Sequence, residues 1–216
     1  MKIDKEVPFY KNPDDTHCYQ ASLKMVMKYF WPDKDFFWEE LDRITAKVKG
    51  LWTWTMAGLI WLQDHGIEVR DVEVFDYEKF IKFGGKYLID KYGEEVGESQ
   101  IEHSDIEQER KIAKDFIKKI PIEKRIPTMN DLKNFLSQGY LIICIVNSRK
   151  LNNEPGYSGH FVVLKGFDDE YFFIHDPSFP TSPHRLVKFS FFENAWAYPN
   201  DEAKTMVALK LKNKMT

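Results

Sequence analysis

The spacing of apolar residues changes character along this chain. Near the start, Ala21, Ser22, Met25, Val26, Tyr29 and Phe30 of PDDTHCYQASLKMVMKYF fall on one 3.6-period face, which predicts a helix. Asp14, Asp15 and Thr16 supply cap and first-turn residues, and Pro32 ends the helix. FFWEELDRI predicts a second, short helix, and TMAGLIWLQDH a third that stops at Gly66. Over 67–75, IEVRDVEVF alternates in period two and reads as a strand.

Residues 78–125 behave differently. EKFIKFGGKYLIDKYGEEVGES and DIEQERKIAKDFIKKI are helix-like and heavily charged, with a Gly/Ser/Glu stretch between them. The pattern predicts a helical insertion or lid with solvated outer faces. TMNDLKNFLSQ then opens with a capping-box-like pair, Thr128 and Asp131, and closes at Gly139. Beyond it, YLIICIVN, HFVVLKGF, EYFFIHD, LVKFSF and TMVALKLK read as strands with short connections rich in Gly, Asp, Asn and Pro, as antiparallel hairpins require. Helices first and sheet last is an α+β layout within one expected domain, 1–216.

Composition narrows the function. Of 216 residues, 43% are apolar and 15% aromatic, enough for a sizeable core. A net charge of −3 gives no support for a nucleic-acid partner. The longest clean apolar run, 140–146, is far short of the roughly 20 residues that span a bilayer, so no membrane insertion is expected. The N-terminus carries charges and no apolar segment of the secretory kind. The expectation is a cytoplasmic protein with Cys18 and Cys144 both reduced. No close Cys/His spacing suits zinc, and no glycine-rich phosphate loop is present, so neither a metal nor another cofactor is expected. Cys144 lies mid-strand and reads as core.

Cys18 falls in the first turn of a helix, where unpaired N–H groups and the positive end of the dipole favour a thiolate. His17 beside it adds positive charge when protonated. The same position also suits a small buried residue packed on a sheet. His160 opens one strand and Asp176 closes the next. Eight residues separate each from Asp168, so a hairpin centred there makes them neighbours, as a base and its orienting carboxylate must be. Singly, the two suit a satisfied polar residue and an Asx-type turn before Pro177.

A thiol at a helix start, then a His/Asp pair on adjacent strands, resembles the papain-like cysteine peptidase superfamily. It is most similar to the branch that cleaves double-glycine leader peptides from bacteriocins, with its soluble relatives. DDTHCYQASLKMVMKYF, LKNFLSQGYLIICIV, GHFVVLKGFDDEYFFIHDPS and the closing KFSFFENAWAY carry the likeness over roughly half the chain. The resemblance implies Cys18 as nucleophile, His160 as general base then acid, and Asp176 as orienter of the imidazole. The family's oxyanion-hole glutamine, six residues before the cysteine, is Asn12 here. Loss of such a donor costs about 3 kcal/mol in the transition state. The family's glycine after the cysteine is Tyr19, a bulky ring expected to narrow the substrate groove. The 78–125 segment has no counterpart in the minimal pattern, and as a lid it would cover the site.

The function implied is thiol-dependent hydrolysis of a peptide or amide substrate through a thioester. An acyltransferase of the same fold and a catalytically silent peptide- or partner-binding relative remain open. So does a structural domain with Cys18 buried.

Overall fold

The computed structural model describes residues 2–178 and 181–212. Residues 1, 179, 180 and 213–216 of the expected 1–216 domain lie outside the described residues. After a two-residue strand β1 (Ile3–Asp4) come helices α1 (Cys18–Phe30), α2 (Trp38–Ile44) and α3 (Met56–Asp64), then β2 (Ile67–Val72). Four helices follow: α4 (Tyr77–Phe83), α5 (Gly85–Tyr92), α6 (Glu94–His103) and α7 (Ile106–Lys119). The rest is β3 (Ile122–Glu123), α8 (Met129–Ser137), β4 (Leu141–Asn147), α9 (Ser148–Leu151), β5 (Gly159–Phe167), β6 (Tyr171–Asp176), β7 (Ser182–Lys188), α10 (Phe189–Trp196) and β8 (Met206–Leu211).

The strands form one sheet in the order β3-β2-β8-β4-β5-β6-β7, with β1 paired to β5. Every pairing is antiparallel except the short β2–β3 contact. Alternate strand residues feed two cores, one on each face, as the period of two demands. Ile143, Phe161, Val163 and Leu209 pack with helices α1–α5 and α7, whereas Cys144, Val162, Leu164 and Ala208 pack with α8 and α10. Cys144 is fully buried in the second core, and burial pushes its thiol well up.

Local sequence decides several element ends. Thr128 accepts from the Asp131 N–H while Asp131 accepts from the Thr128 N–H, a complete capping box at α8. The expected strand LVKFSF is cut short: β7 ends at Lys188 and α10 begins at Phe189. Phe189, Phe192, Ala195 and Trp196 recur at helical spacing, and the Phe189 and Phe192 rings pack against Phe172 at 4.8 and 5.1 Å. The Gly/Ser/Glu stretch expected to separate two helices is itself helical, as α6. Gly97 permits this, since a Cβ there would stand 2.6 Å from the Ile89 backbone of α5.

Helix α1 is wedged between β5 and α2, so it is buried on more than the single predicted face. Tyr19 does not narrow a groove. Its ring is 1% exposed, lies 4.9 Å from Phe161, and its hydroxyl donates to the Thr55 carbonyl at 2.9 Å. Gly58 makes room for that ring, whose Cε1 and Cζ would sit 3.1 Å from a Cβ at this position. Gly58→Ala is therefore expected to destabilise by about 1–3 kcal/mol in urea denaturation, despite alanine's better helix propensity. In a Tyr19→Phe background, which removes the hydroxyl, the cost of Gly58→Ala should shrink; an equal cost in both backgrounds would contradict the packing described.

Candidate active site

Three segments converge on one point. Cys18 is the first residue of α1, His160 the second of β5, and Asp176 the last of β6. The helix start is built differently from the expected cap. His17 occupies the N-cap without a side-chain bond, and Asp14 turns back to accept from the Thr16 N–H at 2.7 Å. Asn12 does the holding. Its backbone N–H donates to the Pro177 carbonyl at 3.1 Å, and its Oδ1 accepts from the N–H groups of Asp14 and His17 at 3.3 and 3.2 Å. Because Oδ1 is fixed by two donors, the amide orientation is set and Nδ2 is left as the available donor. Asn12 thus joins the loop after Asp176 to the turn before Cys18. His17 lies between carboxylates, with Nδ1 2.8 Å from Asp14 and Nε2 3.1 Å from Asp42.

His160 is 5% exposed and its Nε2 lies 2.9 Å from Asp176 Oδ1. The pair is not directly opposed across a hairpin symmetric about Asp168. The turn sets Phe167 opposite Phe172, so the hairpin is centred between Asp169 and Glu170; a register shift between Leu164 and Gly166 recovers one position, leaving Asp176 level with Val162 and reached diagonally by His160. The loop before His160 is pinned by Asn147, whose Nδ2 donates to the Gly156 carbonyl at 2.9 Å and whose Oδ1 accepts from the Ser158 N–H at 3.2 Å.

Asp176, 1% exposed, has both carboxylate oxygens engaged. Besides His160, Oδ1 accepts from the Ser178 N–H at 3.1 Å and hydroxyl at 2.7 Å, and Oδ2 accepts from Arg185 Nη1 at 2.8 Å. Arg185 is itself braced by the Leu151 carbonyl at 2.8 Å. Sequence reasoning missed Arg185. Only the β6–β7 register, with Ile174 opposite Arg185, brings it beside the carboxylate.

Charge follows from these contacts. Burial alone would raise the Cys18 thiol, but the hydrogen bond and charge of His160, with the backbone of Phe161 and Tyr19, bring it below its ordinary value. Burial would lower His160, yet Asp176 and Cys18 push it up to about 9. Asp176 would be raised by burial, and His160 and Ser178 reverse this to hold it well below the usual carboxylate range. With Nε2 on Asp176, the other ring nitrogen is the one available to the thiol. All three shifts run in the direction that favours the charged forms, thiolate, imidazolium and carboxylate.

Other histidines point elsewhere. His175 Nε2 donates to the Val7 carbonyl at 2.8 Å and its Nδ1 accepts from the His184 N–H at 3.1 Å. Among the described residues, no group of three or more His, Cys, Asp or Glu is placed to hold a metal ion. No helix among them is long and apolar enough to cross a membrane. The LWTWT tryptophans serve packing and site together. Trp54 stacks on Phe80 at 4.9 Å, Trp52 stacks on His103 at 4.6 Å, and both line a cleft that also contains Cys18.

A helix layer presenting its first-turn cysteine to a largely antiparallel sheet defines a papain-like α+β fold. The model of the Peptidase_C39 like family matches residues 4–204, and the chain belongs to that family. Among solved structures, it is similar to the peptidase domain of Streptococcus ComA, a bifunctional ABC transporter involved in quorum sensing. The two share 14% identity with a TM-score of 0.53, covering 96% of this chain and 100% of that one. It is also similar to a Bacillus anthracis protein described as a C39-like peptidase, with 18% identity, a TM-score of 0.51, and coverage of 99% and 100%. No curated protein sequence matches the chain.

The coupled ionisation makes a measurable pH profile. Iodoacetamide alkylation of Cys18 should rise as pH climbs through the depressed thiol pKa, and hold a plateau until His160 loses its proton near pH 9. Cys144 should stay unreactive throughout. In His160→Ala the rise should move to the ordinary thiol range or above, because burial then acts without its counterweight. Parallel alkylation of Cys18 in the two proteins would contradict the coupling.

Proposed function

We propose that this chain hydrolyses peptide or amide bonds by thiol chemistry, with Cys18 as nucleophile, His160 as proton carrier and Asp176 as orienter. The observation that carries the reading is the position of His160, hydrogen-bonded to a buried carboxylate on one side and to the Cys18 thiol on the other. The Cys18 thiolate attacks the substrate carbonyl, and imidazolium His160 gives its proton to the departing amine. Water then attacks the thioester as His160 takes up its proton, and the acid leaves with the thiol restored. The oxyanion is met by the Cys18 N–H, one of the unpaired donors of the α1 terminus, and by Asn12 Nδ2.

The reading takes residues 1–216 as one catalytic unit with 78–125 as an insertion beside the cleft. The activity is proposed to lie in the cytoplasm, where reducing conditions keep a catalytic thiol free.

The test is digestion of a mixed peptide library, with new termini read by mass spectrometry. Cleavage by the wild type, lost in Cys18→Ser, is the expected result; an intact thiolate with no cleavage would sink hydrolysis. On any substrate so found, Asn12→Asp keeps the Oδ acceptor and removes the amide donor. Its kcat should fall by about 10²-fold, with KM changing much less. An unchanged kcat would remove Asn12 from the oxyanion hole.

A further inference from the structure

The proposed chemistry uses one end of a cleft of about 130 Å³ and leaves the remainder unexplained. Cys18 and Phe161 stand at the reacting end, and Trp54, Phe75, Leu88 and Val96 form apolar walls. Its polar end is already engaged: Glu73 accepts from the Tyr77 hydroxyl at 2.5 Å and hydrogen-bonds the buried Asp71. What the cleft offers a newcomer is therefore apolar surface.

The walls are also held in place. Helix α6 is tied to the loop before His160 by Gln100 Nε2 donating to the Tyr157 hydroxyl at 3.0 Å, and to the C-terminal segment by Tyr198 donating to Glu95 at 2.5 Å. Tyr157 and Tyr198 stack at 5.9 Å, and Trp54 Nε1 donates to Ser104 Oγ at 3.1 Å. Such a cleft exists before substrate arrives, and filling it releases no competing contact. Two glycines at the scissile bond would leave it empty.

We infer that the cleft is a specificity pocket for a bulky apolar side chain, aromatic in the first instance, carried by the substrate within one residue of the attacked carbonyl. The inference rests on the thiol-hydrolase reading. It differs from that reading in committing this chain to substrates other than a double glycine, through walls supplied by α5 and α6. The aromatic group lies on Trp54 and Phe161 while the carbonyl is presented to Cys18.

The test uses three affinity reagents on the whole protein: the chloromethyl ketones of Gly-Gly, Phe-Gly and Gly-Phe. Labelling of Cys18 is followed by mass spectrometry, and each rate is divided by that of iodoacetamide on the same protein. One phenylalanyl reagent should label roughly 10- to 100-fold faster than Gly-Gly, the factor expected for burying an aromatic side chain. Ala203→Phe and Ala203→Trp, at a half-buried wall position that none of these ties uses, should each abolish that preference while leaving the iodoacetamide rate within about twofold. Gly-Gly reacting as fast or faster, or a preference that survives both fillings, overturns the pocket and leaves the thiol chemistry standing. A Cys18 inert to iodoacetamide as well removes the hydrolase reading and the pocket with it.

Discussion

A single imidazole holds partners that the chain supplies from its two ends. Asp176 approaches His160 from the neighbouring strand, and Cys18 approaches from the start of a helix more than a hundred residues earlier. Neither contact is stable alone. A buried carboxylate without donors is costly, and a buried thiolate without a cation reverts to the thiol. Together they form a line of alternating charge whose members stabilise one another's ionised forms. The surrounding fold serves this line. Asn12 fastens the α1 terminus to the segment after Asp176, Asn147 fastens the loop before His160, and Arg185 fills the remaining oxygen of Asp176.

The helices between β2 and β3 border the cleft that opens beside Cys18. Their charged faces are wet, as their composition requires, but their other faces do two jobs. Helix α7 buries Ala113 and Phe116 in the core beneath α3, and α5 and α6 wall the cleft beside Cys18. Burial also leaves acids under that region. Desolvation raises Asp71 and Glu73, which share a hydrogen bond, and pushes Glu109 up to about 8. Desolvation thus disfavours charge on these acids, against the direction in which Cys18, His160 and Asp176 are driven.

The sequence disclosed what local physics decides. The Thr128–Asp131 capping box, the helix start at Cys18 and the strands around His160 and Asp176 all have short-range causes, and each is legible in a few residues. What it concealed depends on contacts between distant segments. The hairpin turns between Asp169 and Glu170, not at Asp168, which leaves the His160–Asp176 pair diagonal; the register shift near Lys165 brings it one position closer, and no pattern in HFVVLKGF announces either. Arg185 becomes a partner of Asp176 only through the next strand pairing. Tyr19 looked like an obstacle because its neighbours Phe161, Thr55 and Gly58 are far away in sequence, yet they draw the ring into the core. Helix α6 was hidden by its glycines, one of which is there for a close helix crossing.

The protonation of His160 is the quantity on which the account turns. ¹⁵N NMR of the imidazole in the wild-type protein at pH 7 should find both ring nitrogens protonated, with titration near pH 9. In Cys18→Ser, where the thiolate is gone, that titration should move to lower pH. A neutral His160 at pH 7 that titrates in the ordinary histidine range, unmoved by Cys18→Ser, would contradict the ion pair and the chemistry built on it.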